Sequence, residues 1–138
     1  MKKDLHSNLA VAVAKTIAAI SSNTTTNGSI IDTDGYHSVE FSILSGALTD
    51  GSYAPKIEVG NESDLSDAVT VSTDSEKILG TVAGATFAAT DDNAVKKIGV
   101  RADGYRYVRL SIVSTGVSTG GTLGAVALLG HPTIAPVA

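Results

Sequence analysis

The chain has 138 residues, no cysteine, and a net charge of −4 from 10 basic and 14 acidic side chains. This length suffices for one domain with a single hydrophobic core, and the lack of cysteine excludes disulfides and zinc–thiolate sites. The acidic balance argues against a nucleic-acid partner, which requires clustered positive charge, and no apolar run approaches the roughly 20 residues that span a membrane.

The first twenty residues are apolar and carry two opposing signals. Their many alanines favour a helix, whereas Leu9, Val11 and Val13 occupy alternate positions, as in an extended strand. We therefore predict an N-terminal arm over residues 1–20, extended or as a short helix. This arm leads into a first strand near residues 29–31.

A period of two dominates the following sequence. In the run HSVEFSIL, Val39, Phe41 and Ile43 alternate with polar side chains. The runs YAPKIEVG, from residue 53, and YRYVRLSIV, from residue 105, alternate in the same way. Such alternation indicates strands with one buried and one solvated face.

Turn-forming pairs and polar segments separate these strands. The pairs are Asp34-Gly35, Asp50-Gly51, Asp103-Gly104 and Gly120-Gly121. The polar runs over 60–68 and 89–97 are predicted loops. Several short strands at this spacing predict an all-β fold with a single domain over residues 21–130, either an antiparallel β-sandwich or a small barrel.

The end of the chain, AVALLGHPTIAPVA, combines an apolar strand with a rigid corner. Gly130, His131 and Pro132 are predicted to end the last strand, with the imidazole hydrogen-bonded locally. Proline restricts the backbone to extended forms, so Pro132 and Pro136 are expected to hold residues 131–138 as an extended C-terminal tail.

No arrangement of side chains predicts an enzyme or a bound ion. The chain has no Gly-x-Ser-x-Gly elbow and no phosphate-binding glycine loop, and its histidines are scattered. The run DTDG invites a calcium interpretation, but Tyr36 occupies the fifth position, where a calcium loop needs an oxygen ligand. We therefore expect no catalytic activity, no metal and no cofactor.

One basic cluster remains. Arg101, Arg106 and Arg109 surround a predicted strand, and Lys96 and Lys97 lie just before them. The cluster is interpreted either as a solvated sheet face or as a docking patch for an acidic protein surface.

Several of these runs, in this order, resemble a known group of proteins. They are DLHSNL from residue 4, DGYHSVEFSILSGALTDG from 34, IEVGNESDLSDA from 57, GYRYVRLSI from 104 and GGTLGAVALLGHP from 120. The chain is similar to the small structural proteins encoded in the head-gene region of tailed bacteriophages and prophages. The series ending in Leu-Gly-His-Pro is the most specific of these patterns.

This resemblance implies a virion protein of the capsid decoration, or cement, type. Such proteins are β-sandwiches or jelly rolls that form dimers or trimers and stabilise the outer surface of the capsid. The implied partners are the major capsid protein and further copies of this chain, with assembly in the bacterial host cytoplasm. The resulting candidate partner-binding residues are Leu9, Val11, Val13, Arg101, Arg106, Arg109, His131, Pro132, Ile134 and Pro136.

Two other functions stay open. A neck or tail component of the same virion would share this size and fold. A carbohydrate-binding adhesin on the head surface is less favoured, because such proteins display aromatic platforms. Aromatic residues make up only 4% of this chain, and tryptophan is absent.

Overall fold

The computed structural model describes residues 4–137. After a 3-10 turn at His6–Asn8, the described chain forms ten β-strands. These are β1 (Leu9–Ile20), β2 (Thr25–Asp32), β3 (Tyr36–Leu48), β4 (Ser52–Gly60), β5 (Val69–Thr70), β6 (Ile78–Leu79), β7 (Phe87–Ala88), β8 (Val95–Val100), β9 (Tyr107–Thr115) and β10 (Gly121–Pro132).

The strands form two antiparallel sheets that pack face to face. Sheet A has the order β1-β10-β3-β8-β6, and sheet B has the order β2-β9-β4-β5, with β7 also paired to β4. Strand β1 pairs with β10, β2 with β9, β3 with β8 and β4 with β7. This nested pairing is that of one long hairpin wrapped into a jelly roll, so the predicted all-β sandwich is confirmed.

The core lies between the sheets and follows the predicted alternation. Val39, Phe41 and Ile43 of β3 are buried, as are the alternate apolar residues of β4 and β9. Because successive side chains of a strand point to opposite faces, one register places every apolar residue of each set inside. The largest fully buried side chains are Tyr53, Phe41 and Phe87.

The N-terminal segment differs from the predicted free arm. Leu9–Ile20 is extended, not helical, but it is an edge strand of sheet A, paired with β10 from Leu9↔Gly130 to Ile20↔Gly121. The apolar residues of the segment are stabilised by this long-range pairing, which no local signal contains. The sandwich therefore begins at residue 9, and residues 1–3 of the predicted arm lie outside the described residues.

The C-terminal corner is also corrected. Strand β10 does not end at Gly130 but continues to Pro132, which pairs with Tyr36. His131 takes a left-handed backbone conformation, with φ of 51°. Beyond Pro132 the chain bends instead of extending, because the Thr133 amide donates to the Gly35 carbonyl (2.8 Å) and the Val137 amide donates to the Ser7 carbonyl (2.9 Å).

A single carboxylate joins two distant turns at the opposite end of the strands. Asp50, in the β3–β4 turn, accepts hydrogen bonds from the backbone amides of Ser118, Thr119 and Gly120, the shortest at 2.8 Å. These amides, led by that of Thr119, hold the pKa of Asp50 below its usual value. Asp50 thus favours the β3–β4 turn in which it lies and also links this turn to the β9–β10 turn by hydrogen bonds.

We predict that Asp50→Asn removes part of the stability of the fold at neutral pH but little of it in acid. A carboxylate whose pKa is depressed by folding stabilises the native state above its unfolded pKa of about 3.9, and this contribution is lost as the pH falls through the folded pKa. Thermal melts from pH 7 to pH 2 should therefore show a wide gap between wild type and variant that closes below about pH 4. A gap of constant width would contradict this role for the Asp50 charge.

Candidate interaction surfaces

The described chain exposes ten large apolar side chains, and they are not scattered. Seven lie on the face of sheet A that points away from the core, which we call the outer sheet face. They are Val11, Val13, Ile17, Leu44, Leu79, Val95 and Val126. Contiguous apolar surface of this kind on a small domain marks an interaction site.

Strand pairing arranges the outer sheet face in three rows, because directly opposed residues share a face. The first row is Val11, Leu128, Glu40, Gly99 and Leu79; the second is Val13, Val126, Ser42 and Lys97; the third is Gly124, Leu44 and Val95. Ile17 packs over Gly124, where an added Cβ would collide with the Ile17 side chain. The apolar groups of β1 and β10 therefore form one surface with Leu44 and Val95, whereas Leu79 lies apart from it, beyond Glu40 and Gly99.

A depression of about 460 Å³ lies at the β1 side of this face. Its walls include Val13, Ile17, Leu44 and Val126, and Lys15 lies at its edge. The Lys15 ammonium is buried and donates to the carbonyl oxygens of Thr16 and Leu123, both at 3.0 Å. Burial lowers its pKa. The walls of the depression are therefore apolar, and the Lys15 amine at the depression is already hydrogen-bonded to backbone carbonyl groups.

Two opposite charges stand on the outer sheet face. Glu40 and Lys97 lie on neighbouring strands in adjacent rows, yet within residues 4–137 neither has an ion-pair partner within 4.0 Å. Burial raises the pKa of Glu40, and the Lys97 charge partly opposes this effect. The apolar surface therefore carries one acid and one base that the chain itself does not pair.

Further exposed apolar side chains lie on the two segments that meet at the ends of the described chain. Leu5 is 76% exposed and Ile134 is 81% exposed, the highest values among the large apolar side chains described. Their segments are joined by the Val137–Ser7 and Leu9–Gly130 backbone pairings. We call Leu5, Ile134 and Pro136 the terminal pad.

The predicted basic patch is not assembled by the fold. The Arg106 guanidinium donates two hydrogen bonds to the Asp32 carboxylate, at 2.9 and 2.8 Å, and lowers the pKa of that carboxyl. Arg109 donates to Glu58 at 3.0 Å across the β4–β9 pair. Arg101 directly follows β8, which belongs to the other sheet, sheet A. These arginines are spread over both sheets, and two of them are neutralised by neighbours.

The remaining predicted partner-binding residues divide between the two apolar surfaces. Val11 and Val13 are exposed on the outer sheet face, and Leu9 lies half-buried at its end. His131 and Pro132 lie beside the terminal pad, where the Ser38 hydroxyl is 2.8 Å from Nδ1 of His131. The hydrogen-bond partner of this histidine is therefore a residue of β3, distant in the sequence, and not a neighbour in the corner itself.

The described residues show neither a metal cluster nor a membrane-spanning helix. Between residues 4 and 137, no group of three or more His, Asp or Glu side chains is placed to hold a metal ion. No helix in this range is long and apolar enough to cross a membrane.

The candidate list drawn from the sequence omitted several residues of the outer sheet face. Leu44 and Val126 lie in the consecutive apolar residues Ile43-Leu44 and in the run AVALL, which break the expected alternation. Strands that are buried on both faces have such runs. The break in the alternation could therefore have indicated that Leu44 and Val126 lie on a face that a partner covers. Val95 was missed because residues 89–97 were predicted to form a loop, whereas β8 already begins at Val95.

Comparison with known proteins identifies a similar solved structure. The crystal structure of the SPBc2 prophage-derived protein YomS superposes with a TM-score of 0.52, covering 90% of this chain and 94% of that chain, at 12% sequence identity. At this identity the likeness concerns the fold. No model of a known protein family matches the sequence, and no curated protein is significantly similar to it.

Proposed function

We propose that this chain is a structural protein of a tailed-bacteriophage virion that binds the outer surface of the capsid and stabilises it as a decoration protein. Its partner is the major capsid protein, and it assembles onto the shell in the cytoplasm of the bacterial host. The fold likeness to a prophage-derived protein and the jelly-roll topology, which recurs in viral capsid domains, both support a phage role.

The terminal pad is the observation that carries this proposal. Leu5 and Ile134 present apolar side chains to solvent from segments that are hydrogen-bonded to the body of the domain. A preformed apolar contact loses little conformational entropy on binding. Repeated over the closed lattice of a capsid, such a contact gives strong attachment from individually weak sites.

The proposal is tested by adding purified protein to expanded capsid shells that lack it and counting bound copies after density-gradient separation. A decoration protein saturates the shell at hundreds of copies. Saturation near a dozen copies would instead assign the protein to the neck or tail, and the absence of binding would overturn the capsid role.

We predict that Ile134→Asp weakens attachment to shells by roughly tenfold or more, because an interface that buries an isoleucine gains about 1.5–3 kcal/mol from it. Val69→Asp is the matched control, since Val69 is an exposed apolar residue of sheet B and not part of the terminal pad. Equal binding of the two variants would remove the terminal pad from the mechanism. Because both residues are exposed, thermal melts should be unchanged.

A further inference from the structure

We propose that the outer sheet face is the interface of a homodimer, in which a second copy of this chain packs the same face against it. The two copies are related by a two-fold axis that lies in the plane of the face and passes between Glu40 and Lys97. This inference rests on the outer sheet face alone and does not depend on the virion role or on the terminal pad.

The apolar residues that β10 and β3 expose favour a binding partner on the outer sheet face. Strand β10 carries the continuous run AVALL, so it is apolar on both sides, and Leu44 of β3 adds an apolar side chain next to it on the outer sheet face. The core of the sandwich covers one side only. On the other side Leu44 is 53% exposed and Val126 is 42% exposed, a pattern that suits a strand buried on both faces.

The charges of Glu40 and Lys97 favour a second copy of this chain as the partner that binds the outer sheet face. In a two-fold interface, if residue i of one copy contacts residue j of the other, then j also contacts i. A face with one acid and one base is complementary to itself under this rule: Glu40 of each copy pairs with Lys97 of the other. Both charges, which have no ion-pair partner within the described chain, are then paired together, and the apolar side chains around them are covered by those of the other copy.

Face-to-face packing is favoured over pairing of the exposed β1 edges. The register of β1 against β10 shifts twice, between Val13 and Lys15 and between Lys15 and Ala18. Such bulges bend an edge strand and hinder the continuous hydrogen bonding that edge-to-edge association needs. The outer sheet face has no comparable interruption between β10 and β3, which pair without a shift from Leu123 to Pro132.

The first experiment compares wild type, Leu44→Glu and Val69→Glu by sedimentation velocity over a range of concentrations. Leu44 and Val69 have almost equal exposure, 53% and 52%, but Val69 lies on sheet B. We expect wild type and Val69→Glu to dimerise alike, and Leu44→Glu to raise the dimer dissociation constant by roughly a hundredfold or more. A monomeric wild type, or a Leu44→Glu variant that still dimerises, would overturn the proposal.

The second experiment identifies the partner by charge complementation. Glu40→Lys leaves two positive charges on the face, and Lys97→Glu leaves two negative charges, so each variant alone repels its own copy. An equimolar mixture of the two should recover dimers, because both cross-pairs are then attractive. A mixture that stays as monomeric as its components would show that Glu40 and Lys97 do not meet across the interface and would refute the proposed axis.

Discussion

Replacing Gly28 with alanine is expected to lower the free energy of unfolding by about 3 kcal/mol, the upper part of the range for inserting a methyl group into packed structure. Gly28 lies in β2 at a bulge, where two residues of β2 oppose Leu110 of β9. A Cβ there would collide with the carbonyl oxygens of both Ala14 and Leu110. Both oxygens belong to the backbone, so the collision can be relieved only if β1 or β9 moves away from β2.

The Gly28 prediction is measured by urea unfolding, with Gly46→Ala as the matched control. Gly46 lies in β3, and the atoms nearest to an added Cβ belong to Thr122 at 3.6 Å or more, which is ordinary van der Waals contact. Because glycine is entropically unfavourable in a strand, Gly46→Ala should be neutral or slightly stabilising. Equal midpoints for the two variants would show that the three strands do not approach as closely as the structure indicates.

The core could be predicted because it depends on local information. Val39, Phe41 and Ile43 alternate within five residues, and alternation alone decides that they share a face. The Asp-Gly turns could be placed for the same reason, since turn chemistry involves adjacent residues only. These signals were sufficient for the fold class and for the buried side of β3, β4 and β9.

Contacts between distant parts of the chain could not be predicted in this way. Leu9 pairs with Gly130, and Asp50 accepts amide hydrogen bonds from Ser118 to Gly120. Nothing near Leu9 or near Asp50 in the sequence specifies these partners. The N-terminal segment is extended, as one of its two predicted alternatives had it, but its pairing with β10 and the bend of the C-terminal tail depend on tertiary contacts that no local signal contains.

The candidate surfaces were found in part. Val11 and Val13 were selected because they lie in an apolar terminal segment, which the family resemblance implies as a contact to neighbouring subunits, and both are exposed on the outer sheet face. Arg106 and Arg109 were selected for their proximity in sequence, but Asp32 and Glu58 neutralise them from other strands. A charge cluster in the sequence thus indicates a surface patch only if no opposite charge is brought to it by folding.

The second large loss of stability is expected on replacing Tyr53, whose side chain is fully buried. Tyr53→Ala should lower the free energy of unfolding by about 3–5 kcal/mol, as for other buried aromatic residues, because it leaves a cavity between the sheets. Tyr53→Phe should cost only about 1 kcal/mol, the net contribution of one hydrogen bond. That bond runs from the Tyr53 hydroxyl to the Asp50 carbonyl, at 2.8 Å. Urea unfolding at neutral pH measures both variants.

The two Tyr53 variants also separate packing from ionisation. Burial raises the pKa of Tyr53, and the Asp50 charge adds to this effect. A tyrosine whose pKa is raised by folding stabilises the native state fully below its unfolded pKa of about 10, and this contribution is lost as the pH rises through the folded pKa. Wild type should therefore lose its advantage over Tyr53→Phe above about pH 10. If the advantage persists at pH 11, folding does not raise the pKa of Tyr53, and its hydroxyl is not held in the buried position described here.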